Sequence, residues 1–174
     1  YYFEAKTTNN VIVTSPANAP TSFNTTTGAY GEITATSDTF ENAGAWTVGA
    51  TGDLATTGLW TRADPVGTLA QPEDDHTVAG TLCYVTGQGV VGGTNGAADV
   101  DGGATTLNSP TFSAIGEAVR LSYWRWYSND RGGSPNTDSM PIDISNDNGV
   151  TWVSLELVTE NANAWVFKSF RVSD

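Results

Sequence analysis

An all-β fold is what this chain predicts, from its strand-forming composition, its glycine content and its shortage of surface-helix residues. Thr, Val, Trp, Tyr and Phe are frequent, Gly occurs 19 times, and Lys, Leu and Glu are scarce. Only 15% of the residues are charged, against roughly 25% in an average globular domain. Short strand-like runs bounded by Gly, Asn, Asp and Pro point to a sandwich or a barrel. A chain of 174 residues is most simply one domain with a short arm, and it can bury a core without disulfides.

The elements follow in order. Tyr1–Ala5 and Val11–Thr14 read as two short strands joined at Asn9-Asn10. Ser15–Pro20 is a polar, proline-bearing linker, so residues 1–31 are expected to form a β-arm and linker, and residues 32–174 a β-sandwich. The clearest strands of the second part are Thr81–Thr86, Ala118–Tyr127, Pro141–Ser145, Thr151–Val158 and Ala164–Val172. In Leu121–Tyr127, period-2 alternation puts Tyr123, Arg125 and Tyr127 on one face and Ser122, Trp124 and Trp126 on the other. Aromatic residues on both faces predict a central strand of a packed sandwich, with most rings in the core. Trp60–Gly80 and Gly87–Gly103 are expected to be long loops that something other than a core must tie down.

The net charge is −12, from 19 acidic and 7 basic residues. Nucleic acid and anionic membranes both require a basic footprint, so neither is an expected partner. No run is apolar enough to span a membrane. Cys83 is the only cysteine, which excludes an internal disulfide. Asn24-Thr25-Thr26 is the one N-glycosylation sequon.

Acidic loops attract hard divalent cations, and calcium is the expected cofactor. Asp99-Val100-Asp101-Gly102-Gly103 offers alternate carboxylates on an extended backbone, with glycines that permit a tight bend. The loop from Asn129 to Asp138 is a second oxygen-rich candidate through Asp130 and Asp138, and Glu41 is a further candidate ligand. The alternative is that these loops are Asx-turns bonding their own backbone. Glu73-Asp74-Asp75-His76 holds the only imidazole, and one His without a second His or a placed Cys makes a poor zinc site. The same shortage argues against a Cys or Ser nucleophile, so Cys83 is expected to be a buried core thiol and the chain not an enzyme. Trp60, beside Arg62 and Asp64, is the candidate ligand-binding group for a sugar. Ser145–Trp152 matches the Asp-box pattern S-x-D-x-G-x-T-W, a hairpin in which Asp147 bonds the turn amides, Asn148-Gly149 supplies positive φ, and Trp152 packs over the turn.

Several of these segments occur in a set order: Trp60–Thr68, Gln71–Thr77, Cys83–Gly89, Asp99–Gly103, Ser122–Tyr127 and the Asp-box. Together they resemble the non-catalytic β-sandwich (jelly-roll, MAM-like) domain appended to secreted bacterial proteins such as M14-type zinc carboxypeptidases, over about residues 38–174. The resemblance implies a jelly-roll-like sandwich, secretion, and an accessory role in attachment to a polysaccharide or cell envelope. It transfers no peptidase activity, because the catalytic domain's zinc ligands have no counterpart here. Such sandwiches usually continue past the point where this sequence stops, which implies an unpaired sheet edge. The β-rich arm could complete a neighbour's sheet, so self-association into a filament by head-to-tail strand donation is a second expectation.

Overall fold

The computed structural model describes residues 3–6, 8–9, 12–19, 21, 33–94, 96–115 and 118–172. The sequon at Asn24 and the Asn10 half of the expected Asn9-Asn10 turn lie outside these residues. The chain divides into two compact units, Tyr1–Ala35 and Thr36–Asp174. In the first, β1 (Phe3–Lys6) pairs antiparallel with β2 (Ile12–Ser15), with Phe3 opposite Ser15 and Lys6 opposite Ile12. Both strands run one residue further along the chain than the apolar pattern predicts.

The second unit contains β3 (Thr47–Val48), β4 (Trp60–Ala63), β5 (Cys83–Thr86), β6 (Leu107–Asn108), β7 (Arg120–Arg125), β8 (Met140–Ile144), β9 (Val153–Val158) and β10 (Val166–Arg171). No helix occurs among the described residues, and the fold is all-β. Every strand has one antiparallel partner: β3 with β6, β4 with β5, β7 with β10, and β8 with β9.

Three expectations need correction. Trp60–Ala63 is strand β4 rather than the start of a loop, because pairing with Cys83–Thr86 orders a run too short to show a period of its own. Strand β7 is not central among the described residues, since it bonds only to β10. Its rings are not all core: Trp124 is 45% exposed and its cross-strand partner Phe167 52%.

Alternation nonetheless works as the sequence requires. Cys83 and Val85 point inward from β5 and are buried, as is Val158 at the end of β9. The inward face of β7 carries Tyr123 and Arg125, and there the strand pairs are joined by charge. Glu156 of β9 accepts hydrogen bonds from Tyr123 Oη (2.8 Å), Arg125 Nε (2.9 Å) and Arg125 Nη2 (3.0 Å), and it faces Lys168 Nζ of β10 at 3.2 Å. Arg125 Nη2 also meets Glu160 at 2.7 Å. The two long loops are tied by Gln88, whose amide nitrogen donates to the Asp64 carbonyl and whose amide oxygen accepts from Val66 N and Gln71 Nε2.

The Asp-box hairpin between β8 and β9 has the expected bonding. Asp147 Oδ1 accepts from Val150 N (3.1 Å) and Thr151 N (2.8 Å), and Oδ2 from Thr151 Oγ1 (2.6 Å). Asn148 and Gly149 have φ of 59° and 84°. A Cβ on Gly149 would stand 3.3 Å from the Trp152 ring, which closes over the turn. The Thr151 side chain, then the Thr151 amide and Ser145, hold the Asp147 carboxyl down from 3.8 to about 2. A lowered folded-state pKa stabilises above the unfolded value, and that contribution is lost as pH falls through the folded one. Asp147→Asn is therefore expected to lower the melting temperature at pH 7 and to flatten its fall between pH 4 and pH 2. An Asp147→Asn melting curve that follows the parent at every pH would remove this role.

Candidate functional site

The two oxygen-rich loops are far apart in sequence and line one cleft of about 550 Å³. Asp99, Val100 and Asp101 come from the first loop. Gly132, Gly133, Ser134, Thr137 and Asp138 come from the second. The first loop is docked through its backbone: Thr56 N donates to Asp101 O (2.7 Å), and Thr57 Oγ1 to Asp99 O (2.8 Å). Gly58, at φ 67°, is what allows this approach, because a Cβ there would lie 2.6 Å from Asp99 O and Val100 Cα. In the second loop, Tyr127 Oη and Asn129 Nδ2 donate to Asp138 O at 2.8 and 3.2 Å.

The carboxylates of the cleft remain largely unengaged. Asp99 Oδ1 accepts from Val100 N at 3.0 Å, while Asp99 Oδ2 lies where a Cβ on Gly132 would meet it at 3.4 Å. No described residue hydrogen-bonds to the carboxylate of Asp101 or of Asp138. Among the described residues, no three Asp, Glu, His or Cys side chains group closely enough to hold a metal ion by themselves. A cation here would need hydroxyl and carbonyl oxygens as well as carboxylates, a mixed oxygen set of the kind calcium accepts and zinc does not.

The other candidate residues sit elsewhere. Asp130 is absent from the cleft lining; its oxygens meet Arg131 Nε (3.2 Å), Ser128 Oγ (3.3 Å) and Asn163 Nδ2 (3.5 Å). Glu41 Oε1 accepts from Thr81 N and Leu82 N, both at 2.8 Å, and the Leu82 bond, then the Thr81 bond, lower its pKa. At Gly80 a Cβ would meet Glu41 Oε1 at 2.5 Å and Asp75 Oδ2 at 3.1 Å, so these two carboxylates flank one glycine. Trp60 Nε1 donates to Thr105 O (3.1 Å), and Arg62 Nη1 to the carbonyls of Phe40 (3.0 Å) and Glu41 (3.3 Å). Those donors brace the backbone; the Asp64 side chain is exposed. Burial, then Asp75 and Asp64, push the Cys83 thiol up to about 11, which holds it neutral at physiological pH.

An aromatic group on the outward face of β7 and β10 is the feature that sequence reasoning missed. The Trp124 and Phe167 rings are 5.2 Å apart, and the His76 imidazole stacks on Trp124 at 3.6 Å. Trp126 and Trp165 meet edge to face at 6.0 Å, with their indole N–H groups donating to Ala70 O (3.2 Å) and Asp74 O (3.3 Å). Alternation had placed Trp124 and Trp126 on one face; what it could not supply was that His76 and the Ala70 and Asp74 backbone would meet that face while Trp124 and Phe167 stay about half exposed.

No protein-family model, no curated protein and no solved structure matches the chain.

Proposed function

We propose that the chain is a non-catalytic, extracellular β-sandwich module for attachment to a polysaccharide or cell envelope, with loops stabilised by calcium. The observation that carries this reading is that Asp99 and Asp101 from one loop and Asp138 from another line the same cleft. A jelly-roll arrangement is the form of sandwich that the ordered motifs favour. Asp99, Asp101 and Asp138, with Ser134, Thr137 and loop carbonyls, would hold the ion, which neutralises their mutual repulsion. In the test, the full chain is melted with chelator and again with excess calcium, and incubated with insoluble polysaccharides and envelope preparations. Higher melting with calcium and sedimentation with at least one of these surfaces support the reading; equal melting curves refute the calcium, and no sedimentation refutes the attachment.

The alternative of a filament subunit is favoured by a separate observation. The first unit carries its own strand pair, and each strand of the second has only one partner among the described residues, so edges remain for strand addition. Concentration-dependent oligomers are expected by light scattering and should vanish when residues 1–20 are deleted. A deletion variant that behaves like the parent in size and stability would end this reading.

A further inference from the structure

We propose that His76 is a pH-sensitive latch, which on protonation clamps the β4–β5 connection onto the outward face of β7 and β10.

The connection runs from residue 64 to residue 82. Its middle, residues 70–76, is held against the aromatic side chains of that face. Trp126 Nε1 donates to Ala70 O (3.2 Å), and Trp165 Nε1 to Asp74 O (3.3 Å). The remaining tie is the His76 ring, which lies 3.6 Å from the Trp124 ring at an interplanar angle of 17°, with Trp165 edge-on at 6.1 Å. The indole bonds are the same near neutrality and in mild acid, because neither an indole N–H nor a backbone carbonyl titrates there. An imidazole does change charge, ordinarily at about pH 6.5. His76 is exposed, and its ring has no hydrogen-bond partner among the described residues, so a proton can reach it and stacking is what holds it.

The face of an indole attracts a cation, so an imidazolium is held on Trp124 more tightly than a neutral imidazole. The surrounding charges act in the same direction. The connection itself carries Glu73, Asp74 and Asp75 beside His76. Glu41 lies across Gly80 from Asp75, and Asp64 acts with Asp75 on Cys83. The cation of that neighbourhood is Arg62, which bonds the Glu41 carbonyl. On β7 and β10 the pair Trp124 and Phe167 is uncharged, as is the next pair, Ser122 and Ser169. Arg120 and Arg171 follow about 13 Å along the strands from Trp124 and Phe167, more than a Debye length away at physiological salt. Arg125 and Lys168 point to the opposite face, toward Glu156. The contact favours the protonated ring. Its extra hold is therefore present below the ordinary imidazole range and is lost as pH rises through it. Above that range the connection keeps the indole bonds and a weaker stack, and residues 70–76 open more often.

Hydrogen exchange of the full chain in calcium buffer tests the latch, at about pH 5.5 and about pH 8, on either side of the imidazole range. Protection of residues 70–80, corrected for the intrinsic exchange rate, should be about two- to fivefold greater at the acid pH, the increment of an exposed cation–π contact. His76→Gln should show the lower protection at both pH values. His76→Arg, a planar cation throughout, should show the higher protection at both. Position 76 is exposed, and circular dichroism establishes that each variant is folded. Equal protection of the parent at the two pH values overturns the latch, as does greater protection at the alkaline one. A pH dependence that survives in His76→Gln overturns its assignment to this imidazole. Trp124→Leu keeps an apolar side chain without the ring and should lose the dependence; a dependence that persists there overturns the stacking contact as its cause.

Discussion

Glu156→Ala should destabilise the second unit by roughly 2–3 kcal/mol, because it removes charge-assisted bonds from a buried guanidinium and leaves Glu160 as its remaining carboxylate. The Arg125 side chain is 5% exposed and that of Glu156 12%. Burial opposes the charge on Arg125, and the bonds to Glu156 and Glu160 more than offset it, so its pKa is raised. With Glu156 gone, Tyr123 loses its acceptor, Lys168 its nearest carboxylate, and Arg125 keeps only Glu160. Arg125 Nη1 is already buried without a protein partner, so the site has no spare acceptor to absorb the loss. Urea unfolding measures the effect. The paired replacement Arg125→Met with Glu156→Leu should recover most of it, since two charges then leave the interior together. A single Glu156→Ala variant within about 0.5 kcal/mol of the parent, the range of ordinary surface substitutions, would show that the ion cluster does not hold the strand pairs together.

The cluster also sets an acid limit. Burial favours the neutral form of Glu156, but the bonds from Arg125, Tyr123 and Lys168 outweigh it and lower its pKa below 4.5. The Arg125 bond, foremost, lowers Glu160 to about 2. Both groups therefore contribute full stability above about pH 4.5 and lose it as pH falls through their lower folded-state values. Melting temperature is expected to be level near neutrality and to drop steeply below pH 4.5, less steeply in Glu156→Gln, which has no proton to gain there.

The second large effect is that of calcium. A ligand present at a hundred times its dissociation constant stabilises by about 2.7 kcal/mol, which for a unit of this size raises the melting temperature by roughly 5–10 °C. Chelation should remove that increment and calcium restore it. The assignment of the cleft is tested by substitution. Asp99→Asn combined with Asp101→Asn, and separately Asp138→Asn, should abolish the response. Asp130→Asn should retain it, because Asp130 is engaged by Arg131, Ser128 and Asn163 outside the cleft lining. A response that survives loss of all three cleft carboxylates, or that Asp130→Asn removes, would place the ion elsewhere.

Residues differ in how far the sequence alone specifies them. The Asp-box hairpin was legible in the role of Asp147 and the positive φ of Asn148 and Gly149, because Ser145, Asp147, Gly149, Val150 and Thr151 bond one another within a single turn. The inward position of Cys83 and Val85, and the split of Tyr123 and Arg125 from Trp124 and Trp126, followed from the two-residue period of a strand. The shortage of helix formers was enough for the all-β fold. These are all local properties, determined by the chemistry and spacing of neighbours.

What tertiary structure decided depends on partners distant along the chain. Trp60–Ala63 becomes a strand only by lying beside Cys83–Thr86. The donors of Trp60 and Arg62 look free for a ligand until the carbonyls of Thr105, Phe40 and Glu41 arrive to accept them. Glu156 and Arg125 are 31 positions apart, and each reads as an ordinary surface charge until two strand pairs bring them together. Asp99 and Asp101 line the same cleft as Asp138, and Asp130 and Glu41 do not, because Gly58 lets one loop approach the Thr56–Thr57 backbone while Tyr127 and Asn129 hold the other. A sequence states which face of a strand a residue occupies; whether that face is covered, and which carboxylates converge, is decided by long-range pairing.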